Sequence, residues 1–236
     1  MKNGRSRITL VLYLMLVGLC LNAVDASDRD KHISFVGGMG IPIGGLNEWY
    51  NLTPSIGIQT AYYRTPESKV VFSFHFQKFI DGSIKDKTFQ WMIDYEQYNS
   101  PKADAFMIWN DFIVKFQKTL PHLTFSVSGK TFSTFSSLGF GFYNYTHHVS
   151  GLIYPGQPKA PLDEDFLMDP ISDRRVAWGA CAGIGTELPI SELLKVSVLL
   201  EYNSAIGFIR AFEDWGLYEV APLQFLNLGI GVAYLY

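Results

Sequence analysis

The chain has 236 residues, of which 15% are aromatic and only 17% charged, and a formal net charge of −3. Mild acidity gives no electrostatic footprint for nucleic acid, and so little charge beside so much aromatic surface is unlike an ordinary soluble domain. Beyond the N-terminal segment described next, Cys181 is the one remaining cysteine, which excludes an intramolecular disulfide there.

Lys2, Arg5 and Arg7 precede an apolar run from Ile8 to Leu21, followed by Val24-Asp25-Ala26. A charged start, a short apolar run and small residues three and one positions before a cut describe a secretory signal peptide. The run is shorter than the roughly 20 residues a membrane-spanning helix needs. Residues 1–26 are therefore expected to be removed after Sec-type export, leaving 27–236 as one domain. The segment carries three basic residues and one acidic one, so its loss moves the net charge from −3 to −5. Cys20 is not read as a lipid attachment site, because Leu19 stands where a small residue is required. No later apolar run is long enough for a spanning helix.

The rest of the chain alternates. Ile33, Phe35, Met39 and Ile41 share one face over His32–Ile43, and Ile56, Ile58 and Tyr62 do so over Leu52–Tyr63. Arg64 to Ser68 is a tight polar turn. Val70, Phe72, Phe74 and Phe76 then alternate with Val71, Ser73, His75 and Gln77. Residues 81–104 lose the pattern and predict a long loop, with Phe89, Trp91, Tyr95 and Tyr98 among charges. Phe106, Ile108, Phe112, Val114 and Phe116 face one way, and Met107, Trp109, Asp111, Ile113, Lys115 and Gln117 the other.

Between Leu123 and Tyr145 the apolar parity switches near Ser128-Gly129-Lys130. Two readings fit: a bulge inside one long strand, or a turn at 128–130 with Pro121 inside the preceding strand. Neither changes the strand total. Residues 146–173 predict a second long loop, rich in Pro and Asp. Its acidic residues lack the glycine-spaced order of a calcium loop. Val176 to Leu188 and Val196 to Phe208 are two further alternating strands, separated by a short turn at 189–194.

The closing stretch, Leu226–Tyr236, places Leu226, Leu228, Ile230, Val232, Tyr234 and Tyr236 on one face. Asn227, Gly229, Gly231 and Ala233 lie on the other, with no charge among them. Large apolar groups outward and small or polar groups inward are what a barrel in a bilayer requires. The count is eight strands, with long connections at 44–51, 81–104, 146–173 and 211–220 against short ones at 64–68, 119–122 and 189–194. That rhythm predicts an all-β, eight-stranded, antiparallel up-and-down transmembrane barrel, with both termini on the short-turn side.

In this pattern the chain resembles the small OmpA/OmpX-type outer-membrane β-barrels, porin-like proteins of Gram-negative bacteria. The resemblance covers essentially the whole mature chain and rests on pattern, not on a diagnostic motif. It implies an outer-membrane location among lipid and lipopolysaccharide. It also implies that Leu228, Ile230, Val232, Tyr234 and Tyr236 form a C-terminal signal read by the barrel-assembly machinery. An eight-stranded barrel is just wide enough to be filled by its own side chains. The inward set His75, Gln77, Asp111, Lys115, Glu187, Glu201 and Asn203 is thus expected to be a polar plug in which opposite charges pair. No cofactor, metal site or nucleic-acid partner is expected. Loops 81–104 and 146–173 either pack on themselves or contact an extracellular partner.

Three alternatives stand beside this non-enzymatic structural or interaction role. One is a small gated pore opened by transient breakage of those pairs. The second is a lipid A-modifying enzyme, because His148 and Ser150 share a face as in deacylase barrels; Gly151 departs from that motif, and spacing identifies no acidic partner. The third is a soluble periplasmic barrel. Deletion of Tyr236 is expected to impair membrane insertion while export continues. Comparing the heat-shifted, folded band of both chains on a detergent gel checks this; equal folded yield would remove the role assigned to the residue.

Overall fold

A computed structural model describes residues 31–80, 83–127 and 130–236. The signal peptide expected at 1–26, with its cleavage after Ala26, lies outside the described residues. Eleven strands follow in order: β1 Lys31–Ile43, β2 Thr53–Thr65, β3 Ser68–Ile80, β4 Thr88–Gln90, β5 Gln97–Asn99, β6 Asp104–Thr119, β7 Phe125–Val127, β8 Lys130–Ser150, β9 Ile171–Pro189, β10 Leu194–Ile206 and β11 Leu223–Leu235. Eight of them close into an antiparallel ring in the order β1, β2, β3, β6, β8, β9, β10, β11, with β11 pairing back onto β1. The closing seam sets Phe35 opposite Val232, Gly37 opposite Ile230 and Met39 opposite Leu228. Each ring strand has 13 residues or more, above the roughly 9–11 that cross a bilayer.

The alternation places side chains as read. Phe35, Ile56, Leu138, Val176 and Ile230 stand exposed on the outside, each 60% accessible or more, whereas Asp111, Lys115 and Glu201 are 1–2% accessible inside. A soluble protein would not combine these, because burying charge while exposing a belt of large apolar groups loses on both counts in water. Among the described residues no helix is long and apolar enough to cross a membrane; the crossing elements are strands.

Several boundaries differ from the reading of the sequence. The parity switch near 128–130 is neither a bulge nor a turn with Pro121 held inside the preceding strand. A 3-10 turn at Pro121–Leu123 ends that strand's run, and β7 then folds against the start of β8 as a separate small hairpin. The Phe125 and Phe132 rings stack across it at 4.8 Å. β7 has three residues and does not join the ring. Ser128 and Gly129 lie outside the described residues.

The loop expected at 146–173 shrinks to 151–170. β8 continues to Ser150 and β9 starts at Ile171, so that His147 lies opposite Asp173 and Thr146 opposite Arg174. Apolar alternation stops at this height, but the backbone ladder needs no apolar side chains once the strands stand in water. The segment 81–104 contains its own hairpin, β4 with β5. β3 begins at Ser68 and β11 at Leu223, earlier than read, and these extra residues matter for the interior.

Two inward glycines fix how closely neighbouring strands approach. A Cβ on Gly141 would lie 2.1 Å from the Phe112 carbonyl oxygen, and one on Gly139 would lie 2.7 Å from Cys181 Sγ and 2.9 Å from Lys115 Cγ. Gly141→Val is expected to destabilise the barrel by about 1–3 kcal/mol through overpacking. Urea unfolding in micelles, followed by tryptophan fluorescence, measures the shift.

Candidate functional site

Among the described residues the buried polar side chains concentrate in the interior, where they are arranged in layers. The layer nearest the chain termini is built around Glu187 on β9. Lys69 on β3 pairs with its carboxylate, and Gln117 on β6 donates to the same oxygen at 3.1 Å. Lys195 on β10 donates to the Tyr63 hydroxyl at 2.9 Å, and His32 on β1 is buried beside that ring at 5.7 Å between centroids. A cavity of about 30 Å³ lies between these groups, room for roughly one water molecule.

The middle layer holds the second set. His75 Nδ1 lies 2.8 Å from Asp111 Oδ1, and His75 Nε2 lies 3.3 Å from the Gln59 amide nitrogen. Lys115 Nζ donates to Glu201 Oε2 at 2.5 Å, with both side chains almost fully enclosed. The Tyr143 hydroxyl donates to Asn203 Oδ1 at 3.1 Å. Gln77 is buried against the bare backbone of Gly40, and neither atom of its amide has a protein partner. The seven inward residues named from the sequence, His75, Gln77, Asp111, Lys115, Glu187, Glu201 and Asn203, face the lumen in two layers. Sequence reasoning missed Lys69, because Ser68-Lys69 reads as the end of a polar turn. It also left Gln59, Gln117, Lys195 and His32 out of the network; period-two alternation, carried across every strand, would have found them.

The layer nearest the long connections is apolar and aromatic. Trp109 stacks on Tyr145 at 5.6 Å and meets Phe225 edge-on at 5.0 Å, and Phe79 packs on Phe225 at 5.7 Å. Every long connection adds to this core. Leu46, Trp49 and Tyr50 come from the first, Phe89 and Trp91 from the second, Leu152 and Ile153 from the third, and Phe212, Trp215 and Leu217 from the fourth. Tyr50 hydrogen-bonds His147 Nδ1 at the centre, with Trp49 edge-on to the imidazole at 5.1 Å. Phe89 and Trp91 are therefore buried rather than presented to a partner, whereas Tyr95, at the hairpin tip with a positive φ of 62°, is exposed. Lys102 and Asp165 tie the second connection to the third. Hydrogen bonding to Lys102 holds the Asp165 carboxyl below its usual range, and the same contact raises the Lys102 ammonium.

His147, His148 and Ser150 are divided by the strand. His147 points inward, and His148 points outward, stacked on Phe106 at 4.8 Å. The register sets Asp104 opposite Ser150, a carboxylate that spacing alone did not identify. Among the described residues no hydrogen bond joins Ser150, His148 and Asp104, and no group of three or more His, Cys, Asp or Glu side chains comes together to hold a metal.

No protein-family model matches the chain, and no curated protein matches it in sequence. Solved structures do match. A major outer membrane protein from Thermus thermophilus aligns over 87% of this chain and 99% of its own, at 10% identity and a TM-score of 0.51. The present chain has the fold of the small outer-membrane barrels. Neisserial surface protein A (9% identity, 86% of this chain and 96% of that one, TM-score 0.47) and Ail of Yersinia pestis (9%, 89% and 99%, TM-score 0.46) are also similar. At such identities the likeness is one of fold, and the chemistry has to be read from this barrel's own residues.

That chemistry gives a direct test. Lys115→Met leaves the Glu201 carboxylate buried without its cation and is expected to cost about 3–5 kcal/mol, whereas Lys115→Met with Glu201→Leu recovers most of the loss. Equilibrium unfolding of the two single variants and the double variant measures the coupling.

Proposed function

We propose that this chain is a non-enzymatic integral outer-membrane protein whose barrel is closed along its length and which acts through its extracellular surface. The observation that carries the reading is the filling of the lumen. Paired side chains occupy the two layers nearer the termini, leaving a cavity of about 30 Å³, and an aromatic core continuous with all four long connections covers the other end. A hydrated ion has no path of its own size through such an interior. The polar residues act as a plug, as a buried charge held in a low-dielectric space must find its partner. The outer belt supplies the surface that lipid covers, and Leu228, Ile230, Val232, Tyr234 and Tyr236 end it as an outward ladder suited to the assembly machinery.

Interaction then falls to what stands free of the core. Met92 and Tyr95 at the β4–β5 hairpin are 79% and 71% accessible, and Tyr218 on the fourth connection is 64% accessible. Contact with an extracellular partner is assigned to Met92 and Tyr95 in connection 83–103, to the exposed Phe166 in 151–170 and to Tyr218 in 207–222, not to Phe89 or Trp91.

Purified protein reconstituted in planar bilayers is expected to give no discrete conductance steps, while a heat-dependent shift in gel migration reports that the barrel is folded. Reproducible single-channel steps from the folded fraction would replace this reading with that of a gated pore.

A further inference from the structure

The outward face near the long connections carries a feature that the belt elsewhere lacks. Across four neighbouring strands, Lys78 on β3, Ile108 on β6, Thr146 on β8 and Arg174 on β9 stand in one row. The next row outward is Ile80, Phe106, His148 and Ser172. All eight have outward parity, and Lys78 and Arg174 are exposed. Three strand spacings of about 4.8 Å place the two cations roughly 14 Å apart at the backbone, with the Thr146 hydroxyl between them. Lys78 leans toward the centre of the patch. Its ammonium lies 4.5 Å from the centroid of the Phe106 ring, on which His148 also stacks.

These cations are not neutralised from within. Among the described residues neither Lys78 nor Arg174 forms an ion pair, although Lys69, Lys87, Lys102, Lys115 and Arg175 all do. The acid facing the patch on its own elements is Asp104, two rows beyond Lys78 and Arg174, or about 13 Å along the strand. Nor is the patch part of an even girdle. At the corresponding ends of β1, β2, β10 and β11 the outward residues are Ile41 and Ile43, Pro54 and Ile56, Ser204 and Ile206, and Gln224 and Leu226, none of them charged. The connections above are acidic, with eleven carboxylates against five basic residues in 44–52, 83–103, 151–170 and 207–222. An anion is therefore repelled from above and attracted to this one side.

We propose that the Lys78–Thr146–Arg174 row, with His148 above it, is a binding site for the phosphate-bearing headgroup of an outer-leaflet lipid. Ammonium and guanidinium groups at the boundary of an apolar belt suit phosphate oxygens, with Arg174 able to engage two of them. Ile80, Ile108 and Phe106 offer apolar contact beside the headgroup. The lipid's acyl chains lie along the belt below, which a free anion does not use. The proposal rests on the barrel being embedded in a membrane, as proposed above.

The full chain in detergent micelles, titrated with phosphatidic acid and observed by native mass spectrometry, tests it. Wild type is expected to retain this phosphate monoester lipid at least tenfold more strongly than phosphatidylcholine. The K78Q/R174Q variant is expected to lose that preference, while K31Q/K118Q, which removes outward cations from two non-adjacent strands at the opposite rim, keeps it. Millimolar inorganic phosphate is expected to leave the lipid in place. Equal retention by K78Q/R174Q, an equal loss in K31Q/K118Q, or displacement by inorganic phosphate would each overturn the site. Heat-shifted migration is read on every sample: its absence from wild type would overturn the membrane-barrel reading instead, separately from the site.

Discussion

A strand edge cannot be left open in hydrocarbon. Each unpaired backbone N–H or C=O there costs several kcal/mol, and no water is available to satisfy it. The antiparallel seam between β1 and β11 removes that edge, and the rest follows from it. An even number of antiparallel strands places both ends of the ring on one side. Eight strands fix a bore that side chains can fill. Period-two alternation then assigns each residue to lipid or to lumen without any further folding choice. The outward ladder ending at Tyr236 and the inward Lys115–Glu201 pair are two faces of one constraint.

The bore is filled in two unlike ways along its length. Toward the termini the filling is ionic and specific in geometry. Charges there are paired across strands, Glu187 with both Lys69 and Gln117, and removing one partner strands the other. Toward the long connections the filling is aromatic and cooperative, and loops as distant in sequence as 44–52 and 207–222 share one core. Cohesion at that end comes from buried area and ring packing, so the connections behave as part of the domain and not as free tethers.

What the sequence reveals follows the same division. Wherever a strand lies in the belt, alternation is visible: Val70, Phe72, Phe74 and Phe76 against Ser73, His75 and Gln77 need no structure to be assigned. Pairing is less legible, because alternation gives a face but no neighbour. His75 with Asp111 emerges only from register, and Lys115 with Glu201 only from closure of the ring, since β6 and β10 are not neighbours. Strand ends above the belt are hidden for another reason. Ile171 to Arg175 extends in water beside β8, where both faces tolerate polar groups, and composition there looks like a loop. Loops carry no period at all, which is why the sequence leaves Phe89 and Trp91 either packed within the loops or presented to a partner, and only the fold sets them on Trp215 and Tyr98.

The ring is also lopsided. Strands β6, β8 and β9 have 16, 21 and 19 residues against 13 in each of the other five. Past Trp178, which lies opposite the last residue of β10, β9 reaches seven residues further, about 23 Å of strand. The molecule therefore has a parapet on one flank and a low sill on the other. Objects diffusing in the plane of the membrane meet a different profile according to the side from which they arrive. A cylinder with such a flank has a facing direction, and its contacts with neighbours in a crowded leaflet acquire a preferred bearing without any change in the barrel itself.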